Sequence, residues 1–527
     1  MTRYPVFELI GSGDESFPKH KVLVTLQQDQ TCSSTLTYRY GKKNDIAYNL
    51  HKMQDIEDIG SVELRRESYS LPMGLYRWRP RSTDKPETTL TEGIPRTQAI
   101  HVKTWGCSHN NSDGEYMAGM LSQAGYNLVE PDQADLWVLN GCTVKNPSEE
   151  AFRNMIKKAV QGDVKLVLAG CVPQADSRNP LYERFSMIGV NQLDRIVEVV
   201  EETLKGNQVQ LMRRSYKKAG DRLDLPKIRK NKLIEILPIN SGCLNNCTYC
   251  KTKAARGDLR SYPTEEILDR VRQVVKDGVI EIWLSSEDTG TYGRDLYKEN
   301  NSLTNMLRQV LGYLEREAPH VMVRLGMSNP PYIYDCIEEI SELFHHPNLY
   351  CFLHIPIQSG NDKVLHQMGR GYSVADFEYL VDLLMERVPD IHIATDVICG
   401  FPNETTEEFR DTLNILEKYQ FITVNISQFY PRKGTPAADA PQLDSTVKKT
   451  RSRMATECVT KYSPYSQYMG RTFKVTCTES AHYGDYYVSH NKYYHQILIP
   501  NKEEYMGKSL EVRIVEVSRY HMKGIPV

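Results

Sequence analysis

The sequence predicts an α/β protein with three folded parts: an N-terminal open α/β domain, a partial (βα)6 barrel and a small C-terminal β-barrel. Three observations predict it. From Ala99 apolar runs alternate with helical stretches, from Leu233 to about Pro431 the alternation continues for six units, and from Gly470 to Val527 the texture changes to short strands separated by turns. A chain of 527 residues has room for three or four domains of about 150 residues each.

Residues 1–97 contain strand-like runs at Lys21–Leu26 and Thr35–Tyr40, followed by the polar, proline-containing Arg79–Pro86. They read as a small appendage or partly disordered extension of unknown role. Residues 98–205 form the open α/β domain. The runs Ala99–Thr104, Asp135–Asn140 and Lys165–Ala169 each precede a helical stretch, the first capped near Asn111 or Ser112 and the second at Ser148 with Glu149 and Glu150 in its first turn. Cys107, Cys142 and Cys171 fall just after these three strands, next to Gly106, Gly141 and Gly170. The carboxyl ends of strands in an open parallel sheet form its ligand crevice, so the three thiols are expected to converge there. The alternative is three unrelated buried cysteines.

Residues 206–232 form a polar linker with nine basic residues: Arg213, Arg214, Lys217, Lys218, Arg222, Lys227, Arg229, Lys230 and Lys232. Such a run is either a solvated connector or, beside a nucleic-acid-modifying site, a grip on phosphates. Residues 233–462 carry the partial barrel. Its strands are expected at Leu233–Ile239, Glu281–Ser285, Val321–Leu325, Cys351–Pro356, His392–Ile398 and Thr423–Phe429, with helices such as Thr264–Lys276 and Val374–Arg387 between them and a helical link around Val447–Tyr462. Residues 463–527 form the small barrel, with strand runs at Thr472–Cys477, Tyr486–Val488, Tyr494–Ile499 and Leu510–Val517. Tyr483, Tyr486, Tyr487, Tyr493, Tyr494 and Tyr520 lie there among Lys492, Lys502, Lys508, Arg513, Arg519 and Lys523. Aromatic faces beside cations suit single-stranded or loop RNA, although tyrosines in strands serve equally as core.

Composition narrows the class. Charged residues make up 25%, the formal net charge is -2 and the mean hydropathy is -0.50. Any nucleic-acid surface must therefore be local. No run of 18 or more apolar residues offers a membrane span. The first twenty residues lack an apolar signal core, and Glu8, Asp14 and Glu15 argue against a transit peptide. Twelve cysteines in such a chain read as intracellular thiols, which favours metal or redox chemistry over disulfides.

The most informative cysteines are Cys243, Cys247 and Cys250, a Cys-x3-Cys-x2-Cys loop after the first barrel strand. Three thiolates can hold a cubane iron-sulfur cluster and leave one iron open to S-adenosylmethionine (SAM). A zinc knuckle would need a fourth Cys or His close by, and none stands at such spacing; chance clustering is the other alternative. The spacing resembles the signature of the radical SAM superfamily. Together with Thr104–Asp113, Asn140–Pro147, Ala169–Pro173, Leu284–Gly290, Arg324–Pro330, His354–Ser359 and Asp396–Pro402, it resembles the radical SAM methylthiotransferases. Ser108–Asp113 and Glu287–Asp295 point to the eukaryotic and archaeal branch that acts on N6-threonylcarbamoyladenosine in tRNA. The resemblance runs from about residue 99 to the end of the chain.

The resemblance implies two [4Fe-4S] clusters. Cys243, Cys247 and Cys250 would hold the one that reduces SAM to methionine and a 5′-deoxyadenosyl radical; Cys107, Cys142 and Cys171 would hold an auxiliary one that carries the sulfur to be inserted. A second SAM would supply the methyl group. It further implies SAM contacts at Ser285, Ser286, Glu287, Gln358 and Gly400, and a C-terminal TRAM-like domain that grips the tRNA anticodon stem-loop. An electron donor and a sulfur source are implied as partners. His109 and His354 read as structural, Cys399 as having no required role, and Cys32, Cys336, Cys351, Cys458 and Cys477 as unligated thiols. The expected location is the cytoplasm. Animal members of the branch often carry a hydrophobic tail that holds them at the endoplasmic reticulum, whereas this chain stops after the small barrel. The nearest alternatives are the same chemistry on isopentenyl-adenosine or on a ribosomal protein, and, from another class, a non-catalytic iron-sulfur RNA-binding protein.

Overall fold

A computed structural model describes the backbone of residues 23–28, 34–39 and 45–49, and residues 97–144, 146–213, 223–296, 301–481 and 485–527. The chain divides into two units, Met1–Asp55 and Ile56–Val527. In the first unit Leu23–Gln28, Ser34–Arg39 and Asp45–Asn49 form an antiparallel meander, with Leu26 opposite Leu36 and Thr37 opposite Ala47. Two of these strands match the expected runs to within two residues, and the third was not foreseen. The Arg79–Pro86 segment, Cys32 and Tyr483 lie outside the described residues, as do Arg214, Lys217, Lys218 and Arg222 of the linker.

The second unit opens with a six-stranded parallel sheet. Its order is Asn127–Leu128, Ala99–Thr104, Leu136–Gly141, Lys165–Gly170, Ser186–Ile188 and Gln210–Leu211. The period-two alternation of side chains divides the core: Leu136 and Val138 pack toward Met117, Leu121 and Val199, while Trp137 and Leu139 pack toward Phe152 and Ile156. The strand order reverses at Ala99–Thr104, and the crevice beside its carboxyl end is where Cys107 and Cys142 emerge. The first helix, Ser108–Gln123, starts directly behind Cys107, earlier than the expected cap at Asn111 or Ser112. Asn110 and Asn111 do not cap it, because their amides turn back to donate to the carbonyls of Trp105 and Gly106. The second helix, Asn146–Gln161, likewise begins two residues before Ser148.

Six parallel strands follow: Ile234–Pro238, Glu281–Ser285, Met322–Leu325, Phe352–His354, His392–Cys399 and Thr423–Gln428. Their ladders form two three-stranded groups, joined where Val323 bridges Leu349. The helices Thr264–Lys276 and Val374–Arg387 fall where the sequence places them, the latter closed by a capping box between Ser373 and Asp376. The helix Ser445–Thr460 supplies the expected helical link.

The linker's end joins sheet to barrel. Lys227 is fully buried, its Nζ 3.2 Å from Glu115 of the first helix and 3.1 Å from Glu235 of the first barrel strand, and it donates to Ser112 Oγ (3.0 Å) and the Ile236 carbonyl (2.6 Å). Arg229 pairs with Glu235 and Asp277, and Arg270 also reaches Glu235 at 3.1 Å. Burial alone would push the Glu235 carboxyl up; the charges of Lys227, Arg270 and Arg229 hold it down at about 2. Lys227 and Arg229 therefore serve the domain junction and are not free to meet phosphates.

The C-terminal part is a closed five-stranded barrel of Thr472–Ser480, Tyr486–Asn491, Gln496–Pro500, Ser509–Val517 and Met522–Pro526. The fifth strand is an addition to the four expected. Tyr494, expected in a strand, instead sits in a turn at φ 58, because Asn491 Oδ1 accepts from the backbone amides of Tyr493 and His495. This turn pushes Tyr494 into the amino-terminal end of the parallel barrel. There it stacks on His490 (4.1 Å, 7°), meets Tyr350 and Phe352 edgewise or tilted, and accepts from Arg324 at 3.3 Å. The Arg324 guanidinium lies 3.9 Å from the Trp283 ring centroid. Lys492 donates to the carbonyls of His346 and Leu349, and Arg519 to those of Val459, Ile422 and Phe421. Tyr487 is in the barrel core. Tyr494, Lys492, Arg519 and Tyr487 are therefore spent on docking and core. Among the described aromatic and basic positions named above, Tyr486 with Lys523 5.6 Å from its ring centroid, and Lys502 over Tyr505, make cation–aromatic pairs on the barrel strands and loops.

Burial raises two carboxyls at this junction, Glu281 to about 7 and Glu479 to about 8. Glu479 is thus protonated in the folded chain well above its ordinary value of 4.5. Its contribution is full below pH 4.5 and is lost as the pH rises through 8. Between pH 7 and pH 9 the native chain is expected to lose about 1 kcal/mol of stability that Glu479→Gln does not lose, measured by urea unfolding of both proteins across that range.

Candidate active site

The upstream cysteines each follow a strand of the parallel sheet, and two of them meet. Cys107 caps the first helix from the end of Ala99–Thr104, Cys142 follows Leu136–Gly141, and Cys171 follows Lys165–Gly170. Cys142 Sγ lies 3.9 Å from Cys107 Sγ. Two buried asparagines tie the loops together: Asn110 donates to the Trp105 and Asn140 carbonyls, and Asn140 donates to the Asn110 carbonyl at 2.9 Å. Gly106 stands at φ 101, and a Cβ there would fall 2.1 Å from Cys142 Cβ. Only glycine lets the two cysteine loops approach this closely. Burial pushes the Cys171 thiol up to about 12, while hydrogen bonding with Cys107 draws Cys142 down to about 7 against its burial.

The downstream loop leaves the first barrel strand through a two-residue antiparallel ribbon, with Asn240 opposite Ser261 and Ser241 opposite Arg260. Gly242, at φ 83, turns the chain, since a Cβ there would sit 2.1 Å from the Asp258 carbonyl. The Cys243 amide donates to Gly257 and the Cys250 amide to Cys247. Thr248 is fastened to Met368 and Gln367, so the loop is held across the barrel mouth. Arg370 Nη1 lies 3.2 Å from Cys247 Sγ. Burial pushes Cys243 up to about 12.

Between the two sets lies a buried ionic group. Arg256, only 2% exposed, ends the short helix Thr252–Arg256 that follows Cys250. Its Nε lies 3.3 Å from Cys171 Sγ and 2.9 Å from Glu287 Oε1, and its Nη2 lies 2.5 Å from Asp113 Oδ2. Glu287 also approaches His109 Nδ1 at 2.9 Å and accepts from the Gly242 amide at 3.0 Å. Its carboxylate is thus taken up by the chain itself. Glu287, expected to meet the methionine amino group of SAM, here also links the two cysteine sets. His109, read as structural from sequence, belongs to this link.

The other expected SAM contacts lie at the carboxyl ends of the barrel strands. Ser285 closes the second strand and accepts the Ile239 amide through its carbonyl; Ser286 Oγ accepts from Asp288 N at 2.8 Å. Gln358 is a non-glycine residue at φ 66, held by backbone bonds to Asp396 and Ile398. Such a conformation persists only where the surroundings enforce it, and it is often found at ligand sites. The Gly400 amide donates to Glu404, which Arg451 also holds. Sequence reasoning missed a polar group nearby. Burial raises the Asp288 carboxyl to about 6; it accepts from Asn329 N and Nδ2 and lies 3.4 Å from Asn245 Nδ2, while Arg370 reaches Asn329 Oδ1. Inside the barrel His354 Nε2 lies 2.9 Å from Asp396 Oδ1, which also accepts from Asn425. None of these residues stands at a diagnostic spacing; strand-end position was the only available signal.

The donor chemistry fits iron-sulfur clusters. Each set offers three sulfurs and no fourth protein ligand that the sequence indicates, and each has one sulfur touched by a guanidinium that offsets the charge of a thiolate-held cluster. Among the described residues no three His, Cys, Asp or Glu side chains close on the position of a single metal ion. A multi-iron cluster, with one iron per thiolate, does not require that they should.

Parallel barrel, strand-end cysteine loop and upstream sheet together define a radical SAM iron-sulfur protein. The sequence matches the radical SAM superfamily over residues 237–416 and the uncharacterized protein family UPF0004 over residues 99–189. It is 53% identical over 439 residues to a threonylcarbamoyladenosine tRNA methylthiotransferase of Xenopus laevis, covering 82% of this chain and 78% of the relative. The Homo sapiens protein of the same name is 52% identical over 439 residues (82% and 75%). A probable threonylcarbamoyladenosine tRNA methylthiotransferase of Pyrococcus abyssi is 35% identical over 422 residues (79% and 96%). The chain belongs to the threonylcarbamoyladenosine tRNA methylthiotransferase family.

Proposed function

We propose that this chain methylthiolates C2 of N6-threonylcarbamoyladenosine at position 37 of tRNA, 3′ to the anticodon. The observation that carries this reading is the pair of three-cysteine sets joined by Arg256 and Glu287 at the carboxyl ends of two parallel sheets. A [4Fe-4S] cluster with SAM supplies the radical chemistry needed at an aromatic C–H that is not acidic enough for base catalysis. Cys243, Cys247 and Cys250 would hold that cluster, and Cys107, Cys142 and Cys171 a second one carrying the sulfur. Ser285, Ser286, Glu287, Gln358 and Gly400 would surround SAM, while Asp288, Asn329 and Arg370 fix the barrel mouth beside Cys247.

The domain assignment is 98–205 for the sheet that carries the sulfur, 206–232 for the linker, 233–462 for the radical SAM domain and 463–527 for a TRAM-like barrel that holds the anticodon stem-loop. An electron donor and a sulfur source complete the partners. Cytoplasmic tRNA is the expected substrate; no helix among the described residues is long and apolar enough to cross a membrane.

The test is an assay on anticodon stem-loops with and without the threonylcarbamoyl group, read by mass spectrometry of the nucleosides. Product only from the modified stem-loop supports the reading. Persistence of the methylthio nucleoside in tRNA from cells lacking the protein would sink it. A second expected outcome concerns Gly106→Ala: the Cβ would displace Cys142, so reconstituted protein should fall from about eight irons per chain to about four, measured by iron and sulfide analysis.

A further inference from the structure

We infer that Arg256 is the N–H···S donor and positioning residue of the upstream cluster, carried on the segment that begins with the downstream cysteines. The inference rests on the assignment of an iron-sulfur cluster to Cys107, Cys142 and Cys171. Arg256 is the sixth residue after Cys250, yet its guanidinium leaves the downstream loop and touches Cys171. It is buried, and its remaining contacts are to two carboxylates, Asp113 on the helix that Cys107 caps and Glu287 beyond the second barrel strand. The two carboxylates orient the guanidinium and offset its charge, so what it presents to Cys171 is chiefly a directed N–H···S hydrogen bond.

Hydrogen bonds to cluster sulfurs and nearby positive charge favour the reduced, more negative cluster, and so raise its potential. Arg256 also ties that property to the other site. The Cys243–Cys250 loop leads directly into the helix Thr252–Arg256, whose last residue carries the donor on Cys171. Glu287 adds a second tie: it accepts from the Gly242 amide at the start of the downstream loop, and its Oε1 lies 2.9 Å from both Arg256 Nε and His109 Nδ1.

The experiment is a redox titration followed by electron paramagnetic resonance, on full-length protein reconstituted with iron and sulfide, in a background where Cys243, Cys247 and Cys250 are alanine. Only the upstream cluster then reports. Arg256→Gln should shift its midpoint to a more negative potential. Arg256→Lys, which keeps charge but loses the fork geometry, should fall between the two. Glu287→Gln, which removes a negative charge beside the guanidinium, should shift it the other way. Unchanged potentials in Arg256→Gln with the cluster intact would overturn the inference. If Arg256→Gln does not hold a cluster, Arg256→Lys and Glu287→Gln decide: no shift in either overturns it. A background protein that binds no iron at all would overturn the two-cluster assignment, and the inference with it.

Discussion

Lys227→Met is expected to destabilise the protein by about 3–5 kcal/mol, the cost of removing one partner from a buried ion network. The effect arises from what remains. Glu115 and Glu235 stay buried, and although Arg270 and Arg229 still hold Glu235, Lys227 is the cation that faces Glu115 directly. Methionine fills the volume of the lysine stem, which keeps the loss electrostatic and separates it from a packing defect. Chemical denaturation should show the midpoint falling with little change in slope. Glu115→Gln in the same background should recover part of the loss, because it removes the uncompensated charge; a double mutant no more stable than Lys227→Met would refute this account.

Replacing Cys107, Cys142 and Cys171 together by alanine is expected to abolish methylthiolation while leaving SAM cleavage in place. The triple alanine variant at Cys243, Cys247 and Cys250 should lose both. The two sets stand on different sheets with separate backbone supports, the Asn110–Asn140 clasp for one and the Asn240–Ser261 ribbon for the other, so each can be emptied without unfolding its neighbour. Measuring 5′-deoxyadenosine and modified nucleoside in the same reaction distinguishes the two. Equal loss of both products from the upstream variant would show that the sets do not divide the work.

The fold was largely legible because its signals are local. Strand runs bounded by turns, helical stretches such as Thr264–Lys276 and Val374–Arg387, and glycine–cysteine steps after strands all act over a few residues. The placement of the six cysteines after strands was legible for the same reason. What could not be read was which charges turn inward. Lys227 and Arg229 look like any solvated basic run until Glu115, distant in sequence, and Glu235, buried on the first barrel strand, are placed beside them. Tyr494 reads as a strand residue because tyrosine favours strands; only the Asn491 turn sends it into the barrel. Glu287 lies where a SAM contact is expected, and its protein partners His109 and Arg256, far apart in sequence, could not be read there.

Tyr494 seated beneath the parallel barrel makes the small barrel a fixed stop. The reacting end lies at the opposite mouth, a strand length away, about 20 Å for six residues such as Thr423–Gln428. That span is set by packed rings and the Arg324 guanidinium, so a tether of different length would not alter it. On the proposed reading, an RNA hairpin gripped by the small barrel and modified at the opposite mouth would be measured as with a caliper. Stems one base pair longer or shorter should present the adenosine away from the opening, and the enzyme would select its target by distance as well as by chemistry.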